Sequence, residues 1–179
     1  MPVTRLHIGC GKFPRPGWIN LDNKIRPGVD CVADLRADLP FADGAADYAV
    51  AIHVLPHIRL DALPAALARI RRVLKPGGVL RLALPDLEKA FDAYRRRDAG
   101  YFAIPDAQWQ SLGAKLVAQI VWHNDIATPF TYDLAAEALA KAGFASAVRC
   151  EFRKTASRFP EIVELDNREH ESFFVEATK

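Results

Sequence analysis

Gly9 and Gly11 follow the apolar run Leu6-His7-Ile8, and the next apolar run, Trp18 to Leu21, closes on a carboxylate, Asp22. Glycines where a strand ends permit backbone angles and close approaches that a β-carbon obstructs, so a flat ligand can lie against the chain there. Asp22 is placed to accept two hydrogen bonds from a ribose diol. Asp34 ends a third apolar run, Val29 to Ala33, and is placed to accept from an adenine amino group; it also suits a plain turn or capping aspartate. Glycine turn and acids together describe the nucleoside half of a cofactor site.

The turn lacks what a dinucleotide needs. A third glycine and a helix N-terminus facing the pyrophosphate are expected there, because positive partial charge at that end neutralises the phosphates. Here Lys12-Phe13-Pro14-Arg15-Pro16-Gly17 leaves no room for an ordinary helix. A nucleoside cofactor without phosphates fits better than NAD, and the first crossover must be tight. Groups able to take a proton from an acceptor are His57, Asp86 and His123, with Asp125 and Tyr132 beside the last. Asp86 also reads as a helix cap, His57 as a loop histidine, and His123 and Tyr132 as surface or packing residues. His53 and His57 alone make no metal site, since a third ligand is missing. Cys10 occupies a turn that wants a small side chain whatever its chemistry.

These residues need strands that end together. Tyr48 to Leu55 is nearly continuous apolar sequence, as expected for a strand covered on both faces. A helix follows, with Asp61 as cap, Leu63, Leu67, Ile70 and Leu74 at helical spacing and Pro76-Gly77-Gly78 as terminator, and Val79 to Leu84 returns as a strand. Pro85-Asp86 opens another helix through Leu87, Phe91 and Tyr94, Gly100 to Pro105 is a linker, and Trp109, Leu112, Leu116 and Ile120 mark an amphipathic helix. Thr131 caps a last helix that stops at Gly143, and Ala147 to Phe152 and Ser172 to Ala177 are strands joined by a charged segment. The order places the chain in the α/β class.

With 179 residues the chain reads as one domain, and its formal charge of +2 is too small to imply nucleic acid. Three widely spaced cysteines indicate no disulfide framework. No apolar run approaches the roughly 18 residues that span a bilayer, and nothing resembles a signal peptide, so a cytoplasmic protein without a membrane partner is expected. Composition leaves the oligomeric state open.

Gly9-Cys10-Gly11, Gly17 to Asp22, Asp34-Leu35, His53-Val54-Leu55-Pro56-His57 and Arg72 to Gly78, in that order, resemble the class I S-adenosylmethionine-dependent methyltransferases, most nearly the small bacterial type 11 group. The resemblance implies a Rossmann-like sheet, mostly parallel with an antiparallel C-terminal strand and helices on both faces. It implies S-adenosylmethionine as cofactor, with Gly9, Cys10 and Gly11 at its methionine part, Asp22 at the ribose, Asp34 and Leu35 at adenine, and His53 in the same set. It implies a small-molecule or sugar acceptor, in surface-glycan or secondary metabolism, with residues 86–130 as the insertion that shapes the acceptor pocket. Two departures stand out: the family's third glycine and first helix are missing, and Pro56 stands where many relatives carry glutamate. Alternatives are a non-catalytic module binding S-adenosylmethionine or a partner and, with less in its favour, an NAD-binding oxidoreductase.

Overall fold

A computed structural model describes residues 3–122 and 125–179. Its strands are β1 (Arg5–Ile8), β2 (Ile19–Asp22), β3 (Cys31–Val32), β4 (Ala46–Ile52), β5 (Leu74–Pro85), β6 (Ser146–Cys150) and β7 (Ser172–Thr178). They form one sheet in the order β3-β2-β1-β4-β5-β7-β6. The first five are parallel, and β7 runs antiparallel to both β5 and β6. From β1 the chain steps outward to β2 and β3, then returns across to β4 and β5. The switch between β1 and β4 is where an open parallel sheet leaves a crevice at its carboxyl edge.

The tight first crossover is present: residues 9–18 join β1 to β2 through turns with no helix. Strand β4 is sealed on both sides, Ala49, Val50 and Ala51 having no exposed surface. The helices are α1 (Leu63–Val73), α2 (Leu87–Arg95), α3 (Leu112–Val117, continued by a π-helical turn to Trp122) and α4 (Tyr132–Lys141). On one face of the sheet α1 presents Leu63, Leu67 and Ile70, and α4 presents Ala135, Ala138 and Leu139, to Leu6, Ile8, Leu80, Leu82 and Val175. Each large aliphatic side chain buried there contributes roughly 1.5–3 kcal/mol.

The opposite face is covered differently. Trp18, Tyr48, Val50 and Val79 pack under Phe159 and Ile162, which come from the β6–β7 connection and its short 3-10 turn at Pro160–Val163. That connection is pinned by Arg81, which is wholly buried in β5. Its guanidinium donates to Asp166 at 2.8 Å, to Glu176 at 2.8 Å and to the carbonyls of Lys154 and Glu151 at 3.1 and 3.2 Å. A third, smaller core joins α2 and α3 through Ala90, Ala93, Tyr101, Phe102 and Leu116.

Some expected details differ. Helix α1 ends at Val73, and Lys75 to Gly78 already belong to β5, whose pairing with β4 shifts register between Leu74 and Val79. Gly78 permits this, because a β-carbon there would stand 2.8 Å from the Lys75 carbonyl oxygen. Asp61 does not cap α1; its carboxylate pairs with Arg59, and Ala62 holds the cap position. Thr131 occupies the cap position of α4, but its hydroxyl bonds Asp133 instead of a backbone amide. Gly100 to Pro105 is more than a linker, since Tyr101, Phe102 and Ile104 are buried.

Candidate active site

The crevice at the carboxyl edge holds two adjoining chambers. The first, about 480 Å3, is bordered by the ends of β1 to β4, including Gly9, Asp22, Asp34, Leu35 and Val54. Gly9 has φ +67, and a β-carbon on it would stand 2.3 Å from Val54 Cγ2, so the turn and the segment after β4 close on each other only through glycine. Gly11, at φ +58, has nothing within 4 Å of where its β-carbon would be, so its backbone faces open space. Asp22 binds this turn to its own strand. One oxygen accepts the Gly11 amide at 2.8 Å and the other the Lys24 amide at 3.0 Å, and the residue is only 9% exposed. A carboxylate has about four acceptor positions, so both oxygens keep capacity for a ligand.

The other residues expected around a cofactor divide. Leu35 is buried at the chamber wall. Asp34 also borders the chamber, but both its oxygens meet the Arg36 guanidinium at 2.6–3.1 Å, and that pairing holds its pKa below the usual carboxylate range. Cys10 borders neither chamber: it is buried, its amide is spent on the Leu21 carbonyl, and burial pushes its thiol pKa up.

The second chamber, about 690 Å3, shares Gly11, Lys24, Arg26, His53, His57 and Asp125 with the first. Its apolar wall includes Leu87, Ile120 and Phe130. Tyr101 stands there against the His170 ring with centroids 4.7 Å apart, and burial, with Asp86 and Glu171 nearby, raises its hydroxyl pKa to about 12. At the junction His53, at φ +54, places Nε2 2.7 Å from Ser172 Oγ. Burial, aided by Arg168 and His57, depresses the His53 pKa to about 3, so the ring is neutral over the physiological range.

The acid–base candidates are sorted by their partners. His57 is exposed and its Nδ1 lies 3.2 Å from the Asp125 carbonyl oxygen. A carbonyl only accepts, so Nδ1 is the donor, which leaves Nε2 as the nitrogen without a partner among the described residues. Asp86 is 3% exposed, caps α2 by accepting from the Glu88 and Lys89 amides at 3.0 and 3.3 Å, and takes Arg149 at 3.1 Å. It borders the second chamber with these three donors on its carboxylate. Tyr132 bonds the Ala147 carbonyl at 3.2 Å and borders neither chamber. His123 lies outside the described residues. Tyr101, Gln119, Arg168 and Glu171 enter the second chamber unforeseen. Lys24 and Arg26, so near Asp22, carried a charge signal that could have found them.

A family model for a methyltransferase domain matches residues 18–82, from the approach to β2 through most of β5. Over that segment, about a third of the chain, the protein is similar to methyltransferase domains. Solved structures repeat the fold. A SAM-dependent methyltransferase of Thermotoga maritima, described as a possible histamine N-methyltransferase, has a TM-score of 0.63 at 20% identity over 100% of this chain and 84% of its own. An S-adenosylmethionine-dependent methyltransferase of Mesorhizobium loti has 0.59 at 17% identity, over 99% and 91%. The 1,6-didemethyltoxoflavin-N1-methyltransferase of Burkholderia thailandensis, solved with 1,6-didemethyltoxoflavin and S-adenosylhomocysteine, has 0.56 at 18%, over 99% and 71%. No curated protein matches the chain.

The family match at residues 18–82 supports S-adenosylmethionine as cofactor, and the first chamber suits it. Its volume falls within the roughly 300–1,000 Å3 usual for ligand pockets, and Asp22 is a carboxylate with acceptor capacity beside the open backbone of Gly11. Among the described residues no cluster of three His, Cys, Asp or Glu could hold a metal, and no helix is long and apolar enough to cross a membrane.

Proposed function

We propose that this methyltransferase acts on a small-molecule acceptor, with the cofactor in the first chamber and the acceptor in the second. The observation that carries this reading is the shared border: Gly11, His53 and His57 line both chambers, so two ligands bound side by side meet there. Asp22 takes the ribose diol, Leu35 lies against adenine, and the Gly9–Gly11 backbone receives the amino-acid tail. S-adenosylmethionine supplies an electrophilic methyl group on a sulfonium.

The chain contributes placement. Holding two reactants in line replaces a bimolecular encounter by an effectively unimolecular step. Residues from 86–130, with Tyr101 backed by His170, form a flat, largely apolar wall suited to the face of an aromatic or sugar ring. A hydroxyl or amine acceptor must lose a proton, and His57 Nε2, left free by the bond at Nδ1, receives it. A terminal sugar of a glycan fits the same wall.

Titration calorimetry with S-adenosylhomocysteine tests the assignment. Wild-type protein is expected to bind it, and Asp22→Ala to bind roughly 5- to 150-fold more weakly, the loss expected for hydrogen bonds to a charged acceptor. Equal affinity in the two proteins would remove Asp22 from the cofactor site. Binding of NADH in place of S-adenosylhomocysteine would remove the reading altogether.

A further inference from the structure

Arg26 borders both chambers, yet its guanidinium makes no hydrogen bond among the described residues. Its Nε is sealed from solvent without a partner. The nearest carboxylate oxygen, on Asp22, is 4.0 Å from Nε, beyond hydrogen-bonding reach, and already serves the Lys24 amide. The side chain as a whole is 32% exposed, so at the lip the guanidinium stays open to a bound anion while its Nε faces the Asp22 side.

Two exposed lysines stand beside it. The ammonium groups of Lys12 and Lys24, on the same lip, have no ion pair or hydrogen bond among the described residues. Other charges around the crevice are matched: Arg36 with Asp34 at 2.6 Å, Arg168 with Glu171 at 3.1 Å, Arg149 with Asp86 at 3.1 Å. Near these three cations stand Asp125, which has no ion-pair partner among the described residues, and Asp22, whose oxygens hold two amides and come within 4.0 Å of Arg26 Nε. The sulfonium of the cofactor adds a further positive charge beside them.

We infer that Arg26, with Lys24 and Lys12, forms an oxyanion subsite and that the acceptor is an acid: a flat apolar or aromatic body bearing a carboxylate or a phosphate. The body lies on the Tyr101, Ile120 and Phe130 wall, and the anion turns to the lip that carries the guanidinium. Arginine suits this role because its planar fork meets two oxygens at once, and the lysines add charge without fixing geometry. The inference rests on the proposed assignment of the two chambers and narrows its acceptor class.

The test is titration calorimetry on protein saturated with S-adenosylhomocysteine, using benzoate, phenyl phosphate and neutral benzyl alcohol as probes, for wild type, Arg26→Gln and Lys24→Gln. At least one anion is expected to bind about tenfold more tightly than benzyl alcohol, the worth of one charge-assisted hydrogen bond. The preferred anion tells carboxylate from phosphate. Arg26→Gln is expected to abolish the preference and Lys24→Gln to reduce it, each measured at saturating S-adenosylhomocysteine. Equal binding of neutral and anionic probes, or a preference that survives Arg26→Gln, overturns the inference. So does a loss of S-adenosylhomocysteine affinity in Arg26→Gln without a matching loss for 5′-methylthioadenosine, which lacks the amino-acid tail: Arg26 would then hold the cofactor's own carboxylate. Protein that binds no S-adenosylhomocysteine refutes the chamber assignment itself, whereas cofactor binding without anion preference refutes only the acid acceptor.

Discussion

Gly9→Ala probes the contact that shapes the cofactor chamber. Two costs can be worked from the structure. Gly9 sits at φ +67, where a residue with a β-carbon is disfavoured by about 1–2 kcal/mol. The new methyl would also stand 2.3 Å from Val54 Cγ2 and 3.2 Å from Cγ1, an overpacking cost of about 1–3 kcal/mol. The single variant is therefore expected to lose about 2–5 kcal/mol. Val54→Ala removes both offending methyls, so in the double variant the steric part falls to a 3.3 Å contact with Cβ of residue 54 and the backbone part remains. Urea unfolding followed by circular dichroism, on both single variants and the double, yields the coupling between them. The expected coupling is favourable and about 1–3 kcal/mol. Costs that simply add, within about 0.5 kcal/mol, would show that Val54 is not what demands glycine at this position.

Gly11→Ala has no neighbour to strike, so it is expected to cost only the backbone penalty of about 1–2 kcal/mol in urea unfolding, while its methyl enters the shared chamber and lowers S-adenosylhomocysteine affinity; unchanged affinity would contradict that placement. Arg81→Met leaves Asp166 and Glu176 buried without their cation and is expected to lose about 3–5 kcal/mol by denaturant titration, with a loss under about 1 kcal/mol contradicting the account of the second face. His53 has a folded-state pKa near 3 against an ordinary 6.5, so below pH 6.5 the unfolded chain binds the extra proton. Its effect on stability is absent above about pH 6.5 and grows as pH falls towards 3, by about 1.4 kcal/mol per pH unit. His7 shifts in the same direction through burial. His53→Gln is expected to flatten the pH dependence of unfolding between pH 6 and 4 by about one proton, and an unchanged slope would contradict its burial as a neutral ring. With an acceptor in hand, His57→Gln is expected to lower kcat by about 10²- to 10⁴-fold while leaving S-adenosylhomocysteine affinity intact; an unchanged kcat would remove it as the base.

What the sequence disclosed was local. The apolar run at β4, the acids ending β2 and β3, the short first crossover and the helical spacing of Leu63, Leu67 and Ile70 each express a period or a turn within a few residues. What it hid depends on partners far along the chain. Arg81 sits in an apolar strand and is neutralised by Asp166, 85 positions later, so no local pattern marks it as the anchor of a whole face. Asp86 reads more as a cap than as a base, and it does cap α2, while its contact with Arg149, 63 positions on, is one that no local pattern shows. Tyr101 lines the second chamber against the His170 ring, a contact that no spacing predicts. Cys10 lies inside the glycine motif, yet it is buried and does not border the chamber.

The most direct measurement is a crystal structure of the protein grown with S-adenosylhomocysteine. The account predicts the ribose hydroxyls on the Asp22 carboxylate, adenine against Leu35, and sulfur at the junction beside Gly11 and His53, facing the larger chamber. A ligand seated away from Asp22, or one whose sulfur points out of that junction, would contradict it.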